Sequence, residues 1–259
     1  MMELNLSMFL IVCPLVFLSQ FIDAIAGGGG LISLPAYYLA GLSPVLAAGT
    51  NKLSAVIGTG VSAVQYAKKK CIDWNVVLYS AIGAIPGSII GARLLQVVPE
   101  NTARIVMICI LPVIAFFVLR NKESLKPTCL VPPKAMIPAC FLIGLGIGVY
   151  DGLIGPGTGT FLILCFLKIL GMDGMKPLGC ARCVNFASNI GAVTTLFVSG
   201  NVLYSLGLAA AVFSVLGNLL GVRCAMKGGM KLIRKLLIVV LCLIFVKLAY
   251  DVFTSVIAG

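Results

Sequence analysis

The sequence predicts an all-α, polytopic membrane bundle made of two homologous repeats, and three observations carry that prediction. The 259 residues are 60% hydrophobic and only 10% charged, and the mean hydropathy is +1.13, whereas soluble domains are about half apolar and about a quarter charged. Apolar runs of membrane-spanning length follow one another along the chain. The motif that begins at Asp23 also returns at Asp151. We therefore expect a single membrane domain over residues 1–259.

The sequence contains ten apolar segments. Eight of them approach the roughly 20 residues that a helix needs to cross a bilayer. Segments 31–42 and 160–171 have only about 12 residues, roughly 18 Å of helix, and are predicted to be half-helices. The eight longer segments are 7–26, 44–67, 74–96, 101–119, 136–154, 177–198, 202–225 and 236–257.

The repeats are visible as matched positions. Asp23 and Asp151 are 128 residues apart, and after two extra residues a spacing of 130 pairs the later positions. The later pairs are Gly41 with Gly171, Gly49 with Gly179, Lys52 with Arg182, Gly87 with Gly217, Gly91 with Gly221, and Arg93 with Arg223. This spacing predicts repeat one over about 4–120, a connecting loop over about 120–135 and repeat two over about 136–259.

The loop charges favour an inverted arrangement of the repeats. If both short segments carry the chain back across the membrane, fourteen lysines and arginines collect on one side, and only Arg93 and Arg104 lie on the other. That split satisfies the positive-inside rule, so we favour five segments in each repeat. An odd number of segments makes the repeats inverted and puts both termini outside the cytoplasm. The alternative is a parallel arrangement with eight spans.

Two basic residues lie inside predicted membrane segments. Lys52 lies eight residues after Pro44, about 12 Å along a helix, and Arg182 is its counterpart in the second repeat. A cation near the bilayer midplane is costly unless it is paired or hydrated, so such residues usually mark a transport pathway. Asp23 and Asp151 are candidates for charge pairing or for coupling, and simple pairing is the structural alternative.

Glycine-rich breaks precede both half-helices. A break lets the backbone turn and exposes amides at a helix N-terminus, which attracts anions. The candidate substrate-binding residues of the breaks are Gly28, Gly29 and Gly30 in the first repeat and Gly157, Thr158 and Gly159 in the second. Asn185 and Asn189 extend a polar face beyond Arg182, which we interpret as a pathway lining. Close helix packing is the alternative role for these glycines.

Several classes of function are disfavoured. The chain has no histidine, which excludes His-based catalysis and His-ligated metal sites. The excess of lysine and arginine lies in short loops between apolar runs, so it indicates membrane topology rather than nucleic-acid binding. We predict no catalytic residue, cofactor or metal, and no enzyme. Cys180 and Cys183 form a CxxC in an apolar helix, where packing is favoured over thiol chemistry.

The chain resembles the TauE/SafE family of sulfite-exporter-like membrane transporters, most closely its YfcA-like members. The resemblance rests on FIDAIAGGGG, GTNKLSA, GVYDGLIGPGTGTF, NFASNIG and KLIRKLLIVV, which occur in the family's order. It implies a duplicated permease for sulfite, sulfonates or other sulfur-containing anions. It also implies functional roles for Asp23, Gly27–Gly30, Thr50, Asn51, Lys52, Asp151, Gly155, Gly157 and Gly159. Arg182 stands where these relatives tend to have lysine.

We therefore expect a secondary transporter for a small anion in the cell (inner) membrane, working by alternating access. Intramembrane basic residues and half-helix N-termini would hold the anion. Its partners would be the anion, the lipid bilayer and a coupling proton or other ion, and a homodimer is compatible with the sequence. The alternatives are an anion channel and a membrane thiol or sulfur-relay protein that uses the CxxC.

Overall fold

The structure, a computed structural model, describes residues 5–99 and 127–228, and these two ranges are all-α as predicted. Predicted segments 101–119 and 236–257 lie outside the described residues. A 3-10 turn at Pro133–Ala135 leads into α5, and an isolated bridge joins Cys129 to Leu170. The described helices are α1 (Leu6–Ala26), α2 (Gly30–Leu39), α3 (Pro44–Lys68), α4 (Trp74–Val97), α5 (Met136–Leu153), α6 (Thr158–Lys168), α7 (Lys176–Val198) and α8 (Tyr204–Gly228).

The helix lengths separate spanning helices from short ones. Within the described residues, α1, α4, α8 and the helix at Pro133–Leu153 are long and apolar enough to cross a membrane. Helices α3 and α7 have 25 and 23 residues and bury several polar side chains. The two short apolar helices, α2 and α6, have 10 and 11 residues, about 15 Å each. They coincide with the two segments predicted to be half-helices.

The two glycine breaks lie against each other. Helix α1 ends because Gly27 adopts φ 84°, and α6 begins after Gly157, also at φ 84°, a conformation that glycine adopts without a steric cost. The Thr160 amide donates to the Gly27 carbonyl at 3.2 Å, and the Thr160 hydroxyl donates to the Ala26 carbonyl at 2.8 Å. Backbone hydrogen bonding thus joins the break after α1 to the start of α6.

Helices α4 and α5 pack in parallel through small residues, a contact we call the α4–α5 seam. A Cβ added at Gly83, Gly87 or Gly91 would lie 2.1–2.4 Å from a carbonyl oxygen of α5, and these oxygens belong in turn to Phe141, Leu145 and Val149. Both helices advance by four residues from one contact to the next. Glycines at this spacing allow backbones to approach closely in membranes.

A second seam of the same kind joins α8 to α1. Gly217 lies against the Phe17 carbonyl and Gly221 against the Phe21 carbonyl. Each glycine is 130 residues after its counterpart in α4, and each carbonyl is 128 residues before its counterpart in α5. The spacings found in the sequence therefore recur in the helix contacts.

Helices α3 and α7 run antiparallel. Near the start of α3, Gly49 lies against the carbonyl of Asn201, which follows α7, and near the start of α7, Gly179 lies against the carbonyl of Cys71, which follows α3. The basic end of α3, residues 68–70, therefore lies on the same side of the bundle as the start of α7.

We expect Gly144→Ala to lower stability, because the added methyl would lie 1.9 Å from the Ser80 carbonyl in the α4–α5 seam. Overpacking of this kind costs about 2–3 kcal/mol. The matched control is Gly146→Ala on the same helix, where an added Cβ meets nothing within 4 Å. Thermal unfolding in detergent should show a lower Tm for the first variant alone, and equal Tm values would contradict the close backbone approach.

Candidate functional site

Two buried ion pairs lie at the centre of the described bundle. Lys52 on α3 pairs with Asp151 on α5, with 2.6 Å between Nζ and Oδ1, and Arg182 on α7 pairs with Asp23 on α1. Each of the four side chains is at most 7% exposed. Each cation takes its acid from the opposite half of the chain, so the pairing is reciprocal. Removing one partner of such a pair costs about 3–5 kcal/mol.

Hydroxyl groups complete the surroundings of Asp151. Thr158 donates to Oδ1 at 2.7 Å, and Ser188 donates to Oδ2 at 2.6 Å. Lys52 has a second partner, because its Nζ also donates to Asn189 Oδ1 at 2.9 Å. The lysine is thus held between a carboxylate and a neutral amide.

Asp23 has partners of a different kind. Its Oδ1 accepts the Gly29 amide at 3.0 Å, and its Oδ2 accepts a guanidinium hydrogen from Arg182. Gly29 precedes the first residue of α2. The carboxylate therefore lies at the positive end of that half-helix, where negative charge is stabilised. Asp151 lies near the start of α6 through the Thr158 hydroxyl rather than through a backbone amide, so protein carboxylates lie where the sequence suggested a bound anion.

A cavity of about 30 Å³ lies between the ion pairs and the two breaks. Its size suits one or two waters or a small ion. Most of the predicted site residues line it. They are Asp23, Gly30, Asn51, Lys52, Asp151, Gly157, Thr158, Gly159, Asn185 and Asn189.

Four predicted site residues are not part of this lining: Gly28, Gly29, Thr50 and Arg182. Thr50 donates to the Leu46 carbonyl and accepts the Leu203 amide at 3.0 Å, which is a packing role. Arg182 is fully buried, and its Nε and Nη2 have no hydrogen-bond partner. The Nη2 atom lies close to Gly159. The arginine therefore contacts the wall of the cavity from behind.

Some lining residues were not predicted from the sequence. Gln20 and Ser33 face the cavity, and Ser188 holds Asp151 without lining it. The sequence signal that could have identified them is a polar residue in an apolar helix, at helical spacing from a predicted site residue. Gln20 lies three residues before Asp23, and Ser188 lies three residues after Asn185. Thr59, the counterpart of Asn189, also lines the cavity and accepts the Asn189 amide at 3.4 Å.

The two cysteines of the CxxC have different surroundings. Cys180 is fully buried, and its sulfur accepts the Asp73 amide at 3.2 Å. This contact matches the one between Thr50 and Leu203, at the 130-residue spacing on both sides. Cys183 is half-buried and faces a separate apolar groove. Cys180 therefore has a packing role equivalent to that of Thr50.

Broken helices whose ends meet beside buried charges in an apolar bundle are typical of membrane transporters. The Sulfite exporter TauE/SafE family model matches residues 12–248, and the chain belongs to this family.

Curated relatives cover almost the whole chain. A probable membrane transporter protein ORF9 from Sinorhizobium sp is 34% identical over 91% of this chain and 90% of its own length. A probable membrane transporter protein from Haemophilus influenzae is 30% identical over 96% and 98%. Probable membrane transporter protein YfcA from Escherichia coli K12 is 32% identical over 90% and 87%. No solved structure matches this chain significantly.

Proposed function

We propose that the protein is a secondary transporter for a small anion, with sulfite, organosulfonates and other sulfur-containing anions as the substrate class. The observation that carries the proposal is Lys52, a buried cation that lines the cavity beside the neutral amide side chains of Asn185 and Asn189. The description of the matched family, a sulfite exporter, supports the choice of anion.

The anion would bind on the Lys52 side of the cavity. Lys52 Nζ contacts two acceptors, Asp151 and Asn189, and an oxyanion would take the place of one of them. The Gly159 amide at the start of α6 would supply a further donor beside the lysine, while the Thr158 hydroxyl stays with Asp151. Arg182 would stay paired with Asp23 and support the cavity wall, a narrower role than the substrate contact that the sequence suggested.

Alternating access would follow from two inverted repeats, over about 4–120 and 136–259. The antiparallel course of α3 and α7 supports inversion, as do the reciprocal seams and ion pairs. Thr59 and Asn189, which occupy equivalent positions, contact each other across the centre. In such folds one repeat rocks against the other around a fixed site.

The side-to-side distribution of charge supports a cytoplasmic face at residues 68–70. Lys176 begins α7 on this face, and Lys134 precedes α5, which runs parallel to α4. Arg93 lies near the opposite end of α4. By the positive-inside rule the basic face would be cytoplasmic, and the N-terminus of α1, and by inversion both termini, would then lie on the extracytoplasmic side of the inner membrane.

Uptake of labelled sulfite, sulfoacetate, taurine, thiosulfate and small carboxylates into proteoliposomes tests this function. We expect at least one sulfur-containing anion to show saturable uptake and to raise the Tm of the purified protein, because a ligand stabilises the folded state that binds it. Unsaturable flux would favour a channel. No flux of any of these anions above that of empty liposomes would contradict the proposal.

We expect the double variant Cys180→Ser/Cys183→Ser to retain anion flux and to lose no more than about 1 kcal/mol of stability. A serine hydroxyl at position 180 can accept the Asp73 amide, as the Thr50 hydroxyl accepts Leu203. Flux assays and thermal unfolding of the wild type and the double variant check this. Loss of function in a folded double variant would instead support the thiol-relay alternative.

A further inference from the structure

We propose that Asp151 couples anion binding to proton binding, by accepting one proton when Lys52 leaves it for the anion. This inference rests on the proposed transport of an anion. In the step, the Asp151 carboxylate gains the proton, the Lys52 ammonium keeps its own, and the anion arrives as the new partner of the ammonium.

Charge balance links the proton to the anion. Lys52 and Arg182 carry two positive charges, and Asp23 and Asp151 carry two negative charges, so the buried site is neutral as it stands. Adding a monoanion would leave one uncompensated negative charge in an apolar bundle, where it is costly. Uptake of one proton restores neutrality, so anion and proton should bind together.

Asp151 can be hydrogen-bonded in both of its charge states. Its neutral partners are the hydroxyls of Thr158 and Ser188, and a hydroxyl can donate to a carboxylate or accept from a carboxylic acid. The Thr158 hydroxyl also has a second acceptor in place, the Gly155 carbonyl at 2.7 Å. Rotation of these hydroxyls would accommodate the proton without a backbone change.

Asp23 lacks this freedom. Its partners are the Gly29 amide and the Arg182 guanidinium, and both can only donate. A protonated Asp23 would direct its hydrogen at donors and would leave a fully buried arginine without a counter-charge. The two acids are therefore inequivalent although their positions in the repeats correspond.

Among the described residues, Lys52 is the charged side chain in direct contact with Asp151, and the other helices around Asp151 present neutral groups to it. Helix α4 meets this turn of α5 through Ser88, Gly91 and Ala92. Tyr150, the neighbouring residue on α5, donates to the Pro156 carbonyl at 2.5 Å. The next charges are those of the Asp23–Arg182 pair across the cavity, which neutralise each other.

Infrared difference spectra of the protein in liposomes test the assignment, recorded while the buffer alternates between mildly acidic and mildly alkaline. With the probe methanesulfonate in the buffer, whose single charge does not change with pH in this range, we expect the wild type to show the carbonyl stretching band of a protonated carboxylic acid, and Asp151→Asn to lose it. Without the probe, Lys52 stays on Asp151 and the band should be weaker or absent over the same range, because coupling between two ligands is reciprocal.

The control is the double variant Asp23→Asn/Arg182→Met, which removes the other pair and should keep the band. If Asp151→Asn fails to fold, Asp151→Glu should move the band to the frequency of a glutamic acid. A wild type without the band in the presence of methanesulfonate, a band equally strong without the probe, or a band unchanged by either Asp151 variant would overturn the proposal. A protein that shows the band but transports no anion would contradict the proposed function instead, so the two failures are distinguishable.

Discussion

Lys52→Gln is expected to abolish anion transport while the protein still folds. The glutamine keeps most of the side-chain length but cannot supply the positive charge that would hold the anion. Losing a charged partner in a buried contact costs about 3–4 kcal/mol, which corresponds to a fall of about two to three orders of magnitude in transport. Folding is retained because Asp151 keeps its two hydroxyl donors, Thr158 and Ser188.

The matched control is Lys68→Gln, at the exposed end of the same helix. Uptake into proteoliposomes, corrected for the amount of inserted protein, should fall for Lys52→Gln and stay near the wild-type value for Lys68→Gln. Wild-type uptake by a well-folded Lys52→Gln protein would remove Lys52 from the binding site.

Arg182→Met is expected to destabilise the protein more than Lys52→Gln, because Asp151 keeps two hydroxyl donors when Lys52 is replaced. Arg182→Met leaves the Asp23 carboxylate buried without its counter-charge, which costs about 3–5 kcal/mol. Asp23→Asn is expected to cost a similar amount, because the guanidinium that it leaves is fully buried. The double variant Asp23→Asn/Arg182→Met should recover most of the loss, since neither charge then remains.

Thermal unfolding of the wild type, both single variants and the double variant forms a complete double-mutant cycle. A large positive recovery in the double variant would support a structural role for this pair. Additive losses of unfolding free energy would mean that the two residues have no coupling energy. Loss of transport with unchanged stability in Arg182→Met would restore the arginine to the binding site.

The sequence predicted the half-helices well because their signals are local. Glycine clusters and short apolar runs marked α2 and α6 to within a few residues. The predicted half-helix 31–42 was too long at its C-terminal end, since α2 stops at Leu39 and Gly41 turns the chain at φ 85°. Helix type and length follow from nearby residues, so they can be read without knowledge of the packing.

The partners of the buried charges could not be predicted from nearby residues in the sequence. Spacing placed Lys52 and Arg182 in matching helices, but it did not say which acid each would reach. Nor did it reveal that Lys52 lines the cavity while Arg182 is fully buried behind its wall. Ser188 was missed because an isolated serine in an apolar helix more often bonds its own backbone. Contacts between distant helices decide these features.

The reciprocal glycine seams have a consequence for the ancestry of the chain. Each seam joins a helix from the first half to a helix from the second, so neither half can complete its own small-residue surface. Under the proposed inverted arrangement, an ancestral protein made of one half would have had to insert into the membrane in both orientations. Two oppositely oriented copies would then have paired as an antiparallel homodimer. Fusion of two such genes would fix that orientation and would let the two halves diverge, which would account for lysine at position 52 and arginine at position 182.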